Sequence, residues 1–211
     1  PSTEMFYWTG EGKAPERFDP CDQRWVEIWN DVFMAYQKRE DGSVVPLKQK
    51  NVDTGMGLER TLAVLNEKKS AYETDLFLPI IQAIEELSGG IKYEKEQRAM
   101  RIIADHIRAT VFILGDENAV LPSNVDRGYI LRRLIRRAIR YGKMIGISGA
   151  FLGELAKIVI TLYGGLYPEL EHNKVKIIEE LYQEEQKFGK TLDNGLKEFE
   201  KMAARGNLSG K

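Results

Sequence analysis

The hydrophobic period of this chain changes once, near residue 66, and that change limits the fold more than any other feature. Upstream, "WVEIWNDVFMAYQKREDGSVVPL" alternates in side-chain character and is interrupted at Asp41-Gly42. Alternation is the two-residue period of a strand, and an Asp-Gly pair between two such runs marks a hairpin. The segment therefore reads as a long strand, a turn, and a short return strand ending near Pro46. "NVDTGMG" reads as further strand, with glycines where a ligand or another backbone comes close. From about Asn66 onward, apolar residues recur at helical spacing almost throughout. Strands followed by helices predict an α+β fold: a partial antiparallel sheet in the N-terminal third, residues 1–66, then an all-α domain, residues 67–211.

A chain of 211 residues can bury a real core, and its 31 basic and 32 acidic residues leave a formal net charge of −1. The whole-chain balance thus points to neither nucleic acid nor membrane. Cys21 is the single cysteine, which rules out an internal disulfide framework and fits a reducing compartment, the cytoplasm. Cys21, His106 and His172 lack metal-ligand spacing, so no zinc site is expected. No uninterrupted apolar run approaches membrane-spanning length. The opening "PSTEMFYW", without a methionine, reads as a piece of something longer.

Within the helical part, "ETDLFLPIIQAIEELSGG" predicts a helix closed by Ser88-Gly89-Gly90. A second, mostly buried helix is expected to end near Gly115. "AVLPSNVD" reads as a loop, with Asp126 as N-cap of the next helix. After an apolar helix around "AFLGELAKIVITLYGG", a long helix is expected from about Asn173 to about Ala204. Its Ile178, Leu181, Phe188, Leu192, Phe199 and Met202 stand near heptad spacing, and its mixed charges read as solvated surface.

Residues 127–143 carry seven positive charges and no acid. At about 100° per residue, Arg132, Arg133, Arg136, Arg137 and Arg140 fall within an arc of roughly 140°. Ile130, Leu131, Leu134, Ile135, Ala138 and Ile139 take the opposite side. Either acids elsewhere pair these arginines, or the face meets something dense in negative charge. Guanidinium geometry puts a phosphate backbone slightly ahead.

"NVDTGMGLER" has two glycines one residue apart, but Arg60 stands where a dinucleotide fingerprint needs its third glycine. Asn30 is a single amide among Val26, Ile28, Val32, Met34 and Tyr36 on one strand face. It must be satisfied inside the protein or point into a pocket. On the residues alone, Asp53 reads as an acid capping a Thr54-Gly55 turn. On the same basis, Asn124 reads as a turn former or N-cap residue.

"VDTGMGLERTLAVL" resembles the third signature motif of class II aminoacyl-tRNA synthetases in its alanine-specific form. "EIWNDVFMAY", "YETDLF", "RIIADHIRATVFILGD" and "LPSNVDRGYILRRLIRRAIR" resemble further segments of the alanyl-tRNA synthetase family, in the family's order, so that the likeness covers most of residues 1–200. The resemblance implies a class II synthetase sheet followed by the family's tRNA-recognition region. It implies alanine bound by Asn30, Val32, Asp53 and Gly55, with Asp53 facing the ammonium and Asn30 and Val32 lining the methyl slot. It implies ATP, entering with Mg2+, at Gly57 and Arg60. It implies the acceptor stem of tRNA(Ala) at Asn124, Arg127, Arg132, Arg133, Arg136, Arg137 and Arg140. The family reads a G·U wobble pair there, and the Asn124 oxygen would accept from the unpaired guanine amine in the shallow minor groove. The arginines would hold phosphates without reading sequence.

The first two class II motifs, the family's editing domain and an acidic residue that shares the G·U contact are not among these residues. The chain therefore reads as a central fragment of an alanine–tRNA ligase, inactive by itself and with its exposed half-sheet prone to stick. The alternative is a non-catalytic RNA-binding module or paralogue. No oligomeric state is implied.

Overall fold

The alternating residues of the first half form three antiparallel strands in the order β1 (Ser2–Trp8), β2 (Trp25–Lys38), β3 (Val44–Met56). The structure, a computed structural model, describes residues 1–204; the expected end of the helical domain, 205–211, lies outside them. β2 and β3 meet in a hairpin at the expected Asp41-Gly42 turn, where Gly42 adopts φ 83° and Asp41 accepts from the Ser43 N–H and hydroxyl. The return strand is not short. β3 runs through Pro46, which lies opposite Tyr36 beside a register shift between Met34 and Tyr36. β3 is an edge of the three-stranded sheet, so the missing proline N–H breaks no central ladder.

Large apolar side chains stand exposed on both faces of this sheet: Val32 and Met34 on one, Phe33, Val52 and Met56 on the other. Past β3, Gly57 caps α1 (Leu58–Leu65), which stops at Asn66, whose amide donates to Leu62 O, and at Glu67 with φ 52°. The first compact unit extends beyond the change of period, to Phe77. A 3-10 turn at Ala71–Glu73 follows α1, and the Tyr72 and Phe77 rings pack 4.9 Å apart.

The second unit begins at Leu78 and is helical: α2 (Leu78–Leu87), α3 (Gln97–Gly115), α4 (Asp126–Met144), α5 (Leu152–Tyr163), α6 (Pro168–His172) and α7 (Lys174–Ala204). Ile80, Ile84, Met100, Ile103, Ile107, Leu114, Leu131, Ile135, Leu155 and Ile160 form its buried core. Gly115 ends α3 as expected, and its carbonyl accepts from the Asn173 amide between α6 and α7.

Three expectations change. Val125, not Asp126, takes the N-cap position of α4; Asp126 follows at φ 49°, a left-handed conformation that aspartate tolerates better than most residues. Ile130, assigned to the core side of α4, is exposed, because the buried stripe runs through Leu131, Ile135, Ala138 and Ile139. In α7 the buried stripe is Ile177, Leu181, Glu184 and Glu185, while Phe199 and Met202 are exposed. The helix outlasts the core it packs on, and two of its acids are interior, not solvated.

Glu185 caps α5 from α7: one carboxylate oxygen accepts the Phe151 and Leu152 N–H groups at 2.8 and 3.2 Å. Burial pushes this carboxyl above the ordinary glutamate range, against the downward pull of the two N–H bonds. A raised folded-state pKa means that its contribution to stability is full below about pH 4.3 and is lost as pH rises through the folded value. Glu185→Gln keeps the acceptor oxygen and removes the titration. Its melting temperature relative to the parent should therefore rise from about pH 4 to about pH 7; a difference independent of pH would contradict this.

Candidate functional site

The expected small-ligand residues assemble on one face of the sheet. Asn30 lies directly opposite Gly55, and Val32 directly opposite Asp53. Opposed residues of antiparallel strands share a face at about 4.5–5.5 Å between Cβ atoms, so the four make one block two pairs long. Asp53 is mid-strand, and no turn follows it for its carboxylate to cap. A Cβ placed on Gly55 would meet nothing within 4 Å, so the space above the block is open.

β1 adds a residue that the sequence did not single out. Glu4 lies opposite Asn30, and the Asn30 amide donates to its carboxylate at 3.3 Å. Asn30 is thus satisfied from the neighbouring strand while remaining on the open face. Glu4 stands in "STEMFYW", whose aromatic residues favour a strand, but nothing in the run marks Glu4 itself. Beside it lies a shallow hollow of about 560 Å³ lined by Ser2, Thr3, Glu4, Phe6, Phe18 and Trp25. The Phe18 ring is 4.7 Å from Phe6 and 5.5 Å from Trp25, which gives the hollow an aromatic wall.

Gly57 donates its N–H to Ile28 O and opens α1, so Arg60 leaves from the first turn of the helix. Its guanidinium reaches β2, donating to Glu27 O and the Glu27 carboxylate, each at 3.2 Å. A cation in a first helical turn gains nothing from the helix dipole, and this one is held by a partly exposed acid. It remains more than half exposed, at 57%.

In the second unit, the arginines of α4 divide in two. Arg132 and Arg136 share one carboxylate, Glu184 of α7, at 3.3 and 2.7 Å. Among the described residues, these two are the arginines of α4 that form ion pairs. Arg127, Arg133, Arg137 and Arg140 are exposed. Five of these arginines, with Tyr129 and Phe188, line an open hollow of about 360 Å³. The Arg136 guanidinium sits 5.1 Å over the Phe188 ring, and Arg137 5.8 Å from that of Tyr141. Asp105 of α3 is held below the ordinary carboxylate range, first by its bond to His106 and at longer reach by Arg108 and Arg137.

Asn124 is exposed in the loop before α4, and its side-chain oxygen accepts from Arg132 Nη1. Arg132 Nη2 also donates to Pro122 O at 3.2 Å. Ser123 closes the loop: its N–H donates to Gly128 O at 3.1 Å and its hydroxyl to Val125 O at 2.8 Å. Internal pairing thus accounts for Arg132 and Arg136, while Arg127, Arg133, Arg137 and Arg140 form an open cationic surface. Glu184 was missed, although its signal was present. It stands three residues after Leu181 and four before Phe188, an acid on an apolar stripe.

The family model for class II (A) tRNA synthetases matches residues 1–211. The chain belongs to that family. Among relatives of this chain, the alanine–tRNA ligase of Borreliella afzelii (strain PKo) is 50% identical over 215 residues, covering 100% of this chain and 36% of the relative. That of Treponema pallidum (strain Nichols) is 48% identical over 207 residues, 96% of this chain and 34% of the relative. That of Elusimicrobium minutum (strain Pei191) is 48% identical over 184 residues, covering 85% and 21%. The chain thus spans about a third or less of the curated relatives it matches. Among its described residues, no three His, Cys, Asp or Glu side chains gather as metal ligands, and no helix is long and apolar enough to cross a membrane.

Proposed function

We propose that this chain is the part of an alanine–tRNA ligase that grips alanine, contributes the third class II motif to the ATP site, and docks the tRNA acceptor stem. The observation that carries the reading is the block of opposed pairs, Asn30 with Gly55 and Val32 with Asp53. Asp53 supplies the one charge an α-ammonium needs, Val32 an apolar contact for a methyl group, and Gly55 the room above the strand. Such a slot rejects larger side chains, yet admits serine with only a modest penalty, because one added hydroxyl costs a small site little.

Alanine's carboxylate would attack the α-phosphate of ATP, brought in as its Mg2+ complex, giving alanyl-adenylate and pyrophosphate. The tRNA terminal hydroxyl would then take the alanyl group and release AMP. Arg60, at the end of the glycine-spaced strand, would turn from Glu27 to the nucleotide. On the second unit, Arg127, Arg133, Arg137 and Arg140 would hold phosphates, while Asn124 would accept from the wobble guanine.

The test is a splice in which this chain replaces the matching stretch of the Borreliella afzelii ligase. The splice should support alanine-dependent ATP–pyrophosphate exchange, and the chain alone should support none. Asp53→Asn in the splice should raise the KM for alanine roughly 100-fold, the effect of about 3 kcal/mol for one lost partner of a hydrogen-bonded charge pair. Exchange driven by a different amino acid, or a KM unmoved by Asp53→Asn, would contradict the reading.

A further inference from the structure

We infer that Glu184 is a positioning residue for the loop that carries Asn124, acting through the Arg132 guanidinium. The inference rests on the reading that Asn124 accepts from the wobble guanine. Arg132 makes two hydrogen bonds to the loop and an ion pair to α7, in which its buried Nε lies near the carboxylate without forming a hydrogen bond. Nε faces Glu184 at 3.3 Å, Nη2 donates to Pro122 O at 3.2 Å, and Nη1 donates to the Asn124 oxygen. A guanidinium has only donors, so it requires Asn124 to present its oxygen and not its amine. That oxygen has two lone pairs. Arg132 occupies one and leaves the other for an incoming donor.

Glu184 decides what Arg132 can do. The Glu184 side chain is 3% exposed and that of Arg132 is 18% exposed, against 38% for Arg136. Arg136 is further fixed by its 2.7 Å bond to Glu184 and by the Phe188 ring. A buried carboxylate shared by two cations keeps both turned toward α7. Arg132 is thereby withheld from phosphates and committed to the loop. The rigid planar fork is what allows one side chain to span a helix, a backbone carbonyl and an amide, a task lysine's point charge cannot perform. The basic face then has two jobs on one helix: exposed arginines grip the RNA, and the Glu184–Arg132 pair aims the group that reads it.

The experiment measures binding of the chain to acceptor-stem minihelices with a G·U or a G·C pair, for the parent, Glu184→Gln and Arg132→Lys, across a salt titration. The parent should prefer G·U about tenfold. Both variants should cut that preference below about threefold, while the salt slope, which counts phosphate contacts, does not fall. Circular dichroism and thermal unfolding establish that each variant is folded. If Glu184→Gln does not fold, Arg132→Lys, which keeps the charge beside Glu184, decides the matter. Folded variants that keep the parent's preference would overturn the role of Glu184 and Arg132 alone. A parent without preference would overturn the reading of Asn124, and this inference with it.

Discussion

Replacing Arg133, Arg137 and Arg140 together by alanine will weaken minihelix binding by about 100-fold or more at roughly 0.1 M salt, equally for G·U and G·C stems. Each phosphate neutralised by a cation adds about 0.7–0.9 to the slope of log affinity against log salt, so three lost contacts lower the slope by about 2–3. These side chains are exposed and, among the described residues, make no ion pair that must be broken first. Stability should accordingly stay within about 0.5 kcal/mol of the parent, as for most surface substitutions. Anisotropy titrations at several salt concentrations check the slope, and thermal unfolding checks the fold. An unchanged slope would mean that the exposed arginines face solvent and nothing more.

Gly128→Ala will abolish the preference for the G·U pair. A Cβ at Gly128 would lie 2.3 Å from Ser123 Oγ and 2.5 Å from Leu121 O. The hydroxyl could rotate away, but the carbonyl is backbone and can retreat only if the loop moves. The same loop carries Asn124 and is tied back by the Ser123 N–H bond to Gly128 O. Overpacking of this kind costs about 1–3 kcal/mol, so the variant should remain folded with a lowered melting temperature. The four exposed arginines are untouched, and the salt slope should survive. Loss of slope together with preference would mean that α4 itself had shifted, and retained preference would mean that Asn124 does not depend on the loop's anchorage.

The division into sheet and helices was legible because two periods, two and 3.6, are written in different stretches of the chain. The hairpin was legible at Asp41-Gly42. The length of β3 was not, because Pro46 reads as a strand end unless the strand is known to lie at an edge. Asn30 and Val32 could be placed on one face from alternation alone. Their pairing with Gly55 and Asp53 could not, because the register shift between Met34 and Tyr36 alters the count across the hairpin. On α4 the concentration of charge was plain, but its partition was not. That depends on Glu184, a residue 48 positions from Arg136 and brought to it only by the packing of α7. Mixed charge along α7 concealed the two acids that the core encloses, since local composition records neither burial nor partner.

The helical unit is proposed to read an acceptor stem and not merely to attract RNA. The most direct test is the affinity of the unaltered chain for a G·U minihelix and for its G·C counterpart across a salt titration. Both RNAs should show parallel, steep salt dependence, with a preference of about tenfold for G·U, or roughly 1.4 kcal/mol, at every salt concentration. Equal affinity for the two RNAs throughout would contradict this proposal and leave the arginine face an electrostatic platform without a reader.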